Sequence, residues 1–117
     1  MNAHNLVENL YQAVDARSTE RLAEFLHPEL SFRFGNADPI TGKSDVLAAN
    51  EGFFGSIKKM THQIDKIWSV GDQVICHGKV NYIRLDSSHY SAVFATVLTL
   101  EEALITDYLI YADVSGL

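Results

Sequence analysis

From Thr61 onward the apolar residues recur at every second position, in runs over 61–70, 73–85, 90–100 and 104–114. Side chains spaced by two lie on one face of a strand, so each run reads as a β-strand. The breaks are Gly71-Asp72, Asp86-Ser87-Ser88 and Glu101-Glu102-Ala103. Breaks this short close hairpins and cannot hold a crossover helix, which predicts an antiparallel meander. The last three runs are rich in Val, Ile, Thr and Tyr, residues suited to a pleated, half-buried surface.

The N-terminal half follows a different period. Val7, Leu10, Tyr11 and Val14 recur at helical spacing and predict an amphipathic helix over 4–16. Ser18 is placed to cap a second, short helix with Leu22, Phe25 and Leu26 on its apolar face, and His27-Pro28 is expected to stop it. Leu30 to Phe34 alternates as a strand. Ser44 is expected to cap a third helix that ends at Gly55, with Val46, Leu47, Asn50, Phe53 and Phe54 inward. Three helices ahead of a long antiparallel sheet make an α+β plan. Long strands curling around the helices would leave a cone with an apolar mouth. The other sheet face also carries apolar residues, which predicts a homodimer through the strands from residue 73 onward.

The chain has 117 residues and no linker or repeat, so 1–117 is expected to be one domain around one core. A formal net charge of −6, with only Lys58-Lys59 adjacent among the basic residues, argues against a nucleic-acid partner. No apolar run approaches the ~20 residues of a membrane span. The first residues lack the basic and apolar regions of a signal peptide, so a cytoplasmic location is expected. Cys76 reads as a small core residue. His4, His27, His62, His77 and His89 show no paired metal spacing, and no metal or other cofactor is expected. Ala37 to Ser44 nearly spells a phosphate loop, but Pro39 removes a backbone donor and no parallel βαβ unit follows.

Candidate chemistry centres on inward acids. Asp38 sits in a turn bracketed by Gly35 and Gly42 and stiffened by Pro39, a setting that can aim a carboxylate at a ligand. Asp113 ends an apolar strand, two residues past Tyr111; pointing inward, it would be a buried acid whose pKa desolvation raises. Asp107 shares its strand parity. His62 opens the second strand and can carry a proton, whereas His77 alternates with Lys79 and Asn81 on a polar face. Phe32, Phe34, Phe53, Phe54, Trp68, Tyr82, Phe94 and Tyr111 supply rings that wall a cavity without filling it.

The order of elements and several local strings resemble the nuclear transport factor 2-like superfamily, and within it the SnoaL-like polyketide cyclase and ketosteroid isomerase-related group. The strings are Tyr11-Gln12-Ala13-Val14-Asp15, His27-Pro28-Glu29-Leu30, Phe32-Arg33-Phe34-Gly35-Asn36, Gly42-Lys43, Phe53-Phe54, His62, Trp68, Gly78-Lys79-Val80-Asn81-Tyr82 and Thr106 to Asp113. The resemblance implies a conical barrel of curved antiparallel sheet wrapped around the helices, with a deep apolar pocket. Asp38-Pro39 looks like the proton-shuttling Asp of the isomerases, while Leu10 falls where those enzymes carry a Tyr. Asp113 resembles one acid of the epoxide-hydrolase trio, but Lys79 with Asn81, or Val80 with Tyr82, stands where that trio needs Arg and Asp. The loose acid requirement of the cyclases can be met by Asp113, Asp107 or Asp38. The resulting expectation is a cofactor-independent cyclase or isomerase acting on an apolar carbonyl small molecule. Asp113, Asp38 and His62 are its catalytic candidates. Tyr11, Phe34, Phe54, Trp68, Tyr82, Asp107 and Tyr111 are its pocket lining. The same fold also serves non-catalytic binding or assembly modules.

Overall fold

Val7, Leu10, Tyr11 and Val14 share the buried face of helix α1, Ala3–Asp15, in a computed structural model that describes residues 2–117. Asn2 caps the helix by accepting from the Asn5 amide. At its other end the Arg17 amide donates to the Val14 carbonyl (2.9 Å) and the Ser18 amide to the Ala13 carbonyl (3.1 Å). This double closure needs a left-handed residue, usually glycine. Arg17 fills the place at φ 53°, at a cost on the order of 1 kcal/mol. Ser18 then caps the short helix α2, Thr19–Ala23.

Strand β1, Leu26–Phe34, starts earlier than the alternation suggested. His27-Pro28 therefore lies inside the strand and does not stop a helix. Proline has no N–H for a ladder, and the pairing of β1 duly lapses between Leu26 and Ser31. After the turn at Gly35, strand β2, Ile40–Thr41, folds back antiparallel on β1. That hairpin removes the phosphate-loop geometry from residues 37–44. Helix α3, Lys43–Gly55, begins after Gly42 with no side-chain cap, so the capping role expected of Ser44 is not realised. Val46 and Phe54 are its buried residues.

The meander is present as β3, Ile57–Val70; β4, Gln73–Arg84; β5, His89–Glu101; and β6, Leu104–Ala112. Each strand pairs antiparallel with the next. The sheet order is β2-β1-β6-β5-β4-β3, and β1 joins β6 in parallel. Strand β3 begins before Thr61 because irregularities at 57–59 and 64–66 interrupt its alternation. At the second of these, the Gln63 carbonyl oxygen would lie 1.8 Å from a Cβ on Gly78. Only glycine permits that approach, and the bulge bends β3 and β4 around the helices.

The concave face carries Val74, Cys76, Val80, Tyr82, Phe94, Thr96, Leu98, Leu100, Ile105 and Tyr108, all buried against α1 and its neighbours. The segment after β6 is strapped down by Arg84, which donates to the carbonyls of Gly116 (2.7 Å) and Leu117 (3.3 Å). No helix among the described residues is long and apolar enough to cross a membrane.

Two glycine substitutions test this account. Gly78→Ala drives a methyl group into backbone and should destabilise the protein by about 3 kcal/mol. Gly52→Ala, in an exposed turn of α3 with open space around it, should stabilise by about 0.5–1 kcal/mol. Urea unfolding of both variants checks the pair; equal stabilities would remove the steric argument.

Candidate functional site

Between α1, α3 and the concave sheet face lies an apolar cavity of about 30 Å³, lined among others by Tyr11, Phe34, Phe54, Tyr82, Phe94 and Tyr108. Such a volume holds about one or two water molecules. Its most polar wall comes from His62, Asn50 and the phenols of Tyr11 and Tyr108.

His62 is clamped by Asp15. The Asp15 Oδ1 lies 2.5 Å from His62 Nδ1, and its Oδ2 accepts the His62 backbone amide at 2.9 Å. The His62 side chain is only 9% exposed and that of Asp15 25%. A carboxylate only accepts, so Nδ1 carries the donated proton; in the neutral ring that leaves the lone pair on Nε2. Nε2 has no hydrogen-bond partner among the described residues, yet no side-chain nitrogen or oxygen there is both fully buried and unpartnered. It is therefore the accessible edge of the ring. The ring packs tilted on Tyr11, with centroids 4.4 Å apart, and edge-on to Phe94 at 5.1 Å. Those contacts leave it one orientation.

Deeper in, the Tyr11 hydroxyl lies 2.5 Å from Thr96 Oγ1, the one fully buried polar side chain among the described residues. The Tyr108 phenol faces that of Tyr11, and Cys76 stands beside both. Burial raises the pKa of Tyr11 and Tyr108 well above the usual phenol range, so both remain neutral donors. The same desolvation pushes Tyr82 up to about 12 and the Cys76 thiol up to about 11. Cys76 is thus a core residue with little thiolate at neutral pH.

The other sequence candidates lie elsewhere. Asp113 is exposed and turns back on its own segment, its Oδ1 accepting from the Ser115 amide (3.0 Å) and hydroxyl (2.6 Å). Those bonds lower its pKa, the reverse of the expected rise. The strand ends one residue before it, so nothing carries the side chain inward. Asp38 is likewise exposed, in the surface loop beside Arg33 and Tyr111 and away from the cavity. Tyr108, Ile110 and Ala112 are the inward positions of β6. Asp107 and Tyr111 therefore fall on its convex face, where Tyr111 is 46% exposed and accepts from Arg33 (3.3 Å). Trp68 is also outside the cavity, stacked on His77 with Lys66 over its ring.

Asp15 was the residue missed by sequence reasoning. An acid in the last turn of a helix opposes the helix dipole, and that misplacement was the available signal.

A family model described as a SnoaL-like domain matches residues 7–108. No curated protein matches the sequence. Among solved structures, an NTF2-like protein of unknown function from Burkholderia pseudomallei K96243 is similar at TM-score 0.88 and 15% identity, over 99% of this chain and 94% of that one. A protein assigned as a SnoaL-like polyketide cyclase from Jannaschia sp. CCS1 superposes at 0.84 and 13% identity, over 97% of this chain and 87% of that one. An LEH-like epoxide hydrolase from M. tuberculosis gives 0.83 and 18% identity, over 97% and 84%. At these identities the likeness is one of fold.

The buried phenols set the alkaline limit of stability. Unfolded tyrosines ionise near pH 10, whereas folded Tyr82 holds its proton to about 12. The unfolded state therefore loses protons first. The stabilisation is complete below about pH 10 and is lost as pH rises from there through the folded value. The melting temperature should fall steeply across this window, and Tyr82→Phe should make the fall shallower; an unchanged profile in that variant would contradict the assignment.

Proposed function

Because the chain belongs to the SnoaL-like domain family, we propose that it is a cofactor-independent enzyme that moves a proton beside the carbonyl of an apolar small molecule, as a cyclase or isomerase does. The observation that carries this reading is the Asp15–His62 pair on the wall of an apolar cavity. His62 Nε2 takes the proton from the carbon next to the carbonyl. Asp15 fixes the ring and stabilises the imidazolium that forms. The enolate oxygen is held by a neutral phenol, Tyr108 or Tyr11, whose raised pKa keeps it a donor. Return of the proton to another carbon gives an isomerase; attack of the enolate on a second carbonyl gives a cyclase. Asp38 and Asp113, both in solvent, take no part.

A cavity of about 30 Å³ does not accept such a substrate as it stands. Entry falls to α3, which has no side-chain cap at Gly42 and contributes Phe53 and Phe54 to the wall. The small volume also supports a second reading, a binding or assembly module of the same fold that performs no chemistry.

The apolar convex face supports a homodimer. Val93 is 71% exposed there, and Trp68 and Tyr111 stand on the same face. Sedimentation at micromolar concentration should give a species of twice the 13.0 kDa chain mass; a clean monomer would end that part of the reading.

Proton chemistry is tested by deuterium exchange next to the carbonyl in a panel of aromatic polyketide and terpenoid ketones, followed by NMR. His62→Gln should slow exchange on the order of 10²-fold or more, Asp15→Asn by about tenfold, and Asp38→Asn not at all. Exchange that survives His62→Gln sinks the mechanism. Ligands that raise the melting temperature without exchanging protons transfer the case to the binding module.

A further inference from the structure

The back of Asp15 opens on a second feature. A surface groove of about 550 Å³ runs between the end of α1, the start of β3 and the β4–β5 turn, lined by Arg17, Lys58, Lys59, Ser87 and His89. The chain as a whole is acidic, yet three of its nine Lys and Arg residues converge here. Asp15 is the only acid in the groove, and both its oxygens are taken by His62. None of the three cations enters a salt bridge among the described residues, where the ion pairs are His4–Glu8 and His62–Asp15.

The backbone around the groove is unusual at three points. Arg17 occupies a left-handed position that glycine normally fills, and Ser87 does the same at φ 73°. The irregularity in β3 between Ile57 and Lys59 turns two consecutive lysines into one groove, where regular pleating would send them to opposite faces. Lys58 Nζ is held by Ser87 Oγ at 3.0 Å. The Arg17 guanidinium is anchored through one nitrogen, Nη1, to the carbonyls of Ile57 (3.1 Å) and Phe54 (3.5 Å). Its Nε and Nη2 keep their donors. Backbone held in costly conformations to gather unpaired cations is a pattern of ligand sites.

We propose that this groove binds the phosphoryl or carboxylate group of a small organic anion. A forked guanidinium, two ammonium groups and a hydroxyl match the several acceptor oxygens of such a group. The site stands on its own residues and does not depend on proton chemistry at His62.

Amide NMR titration of the labelled protein with inorganic phosphate, and in a parallel arm with succinate, tests the site against sodium chloride of equal ionic strength. Saturable shifts at Arg17, Ser87 and His89 are expected, and the tighter arm names the preferred group. Lys58→Ala with Lys59→Ala should weaken binding about tenfold or more, while Lys59→Arg should retain it. Both lysines are exposed, so the variants should keep the native amide spectrum. Shifts that grow linearly in both arms as they do with chloride, or saturation unaltered in the double alanine variant, would overturn the proposal.

Discussion

The close approach of the β3 backbone to Gly78 governs the shape of the molecule. Strands β3 and β4 are 14 and 12 residues long. Held flat, they would leave most of their inner faces in water, because α1 and α3 are only 13 residues each. The bulge at 64–66 turns the strands over α1, and it forms only because residue 78 lacks a side chain. That curvature lets one end of β3 meet the C-terminus of α1, so the bend and the site are one construction. A residue with a Cβ at position 78 would disturb the cavity wall without touching it.

Two effects compete at Asp15. The helix dipole disfavours an acid in the last turn, and partial burial disfavours its charge. Against them stand two hydrogen bonds to a single partner residue, one from ring and one from backbone. Because both oxygens are committed, Asp15 forms no ion pair with the nearby basic groove. One carboxylate thus orients the imidazole on its inner side and leaves the cations on its outer side without an ion-pair partner among the described residues.

Most of the architecture could be read from periodicity. The meander followed from breaks too short for helices, and the α1 core face from Val7, Leu10, Tyr11 and Val14. Element ends were less legible because they depend on contacts far away in sequence. His27-Pro28 reads locally as a helix stop, but β1 runs through it, held to β6 on either side at Leu26 and Ser31. The parallel pairing of β1 with β6 left no local mark. For the site, His62 stood out by residue type and position, whereas Asp113 misled. Its inward orientation assumed that the strand continued through it, and the chain instead turns at Ser115. Asp15 drew no attention because its partner lies 47 residues away.

The position of β6 bears on how the chain reaches this structure. It is the last strand in sequence, yet it lies between β1 and β5 in the interior of the sheet. Until it arrives, β1 and its hairpin partner β2 have no connection to the other strands, and the Leu98 row of β5 ends at an open edge. Closure must therefore join segments about 75 residues apart, Ser31 with Asp107 and Phe32 with Tyr108, and such long-range joining is the slow part of folding. During synthesis, everything through β6 must leave the ribosome before the sheet can be completed. In that interval the edges of β1 and β5 are exposed to other nascent copies, which makes this protein's hazard one of timing more than of final stability.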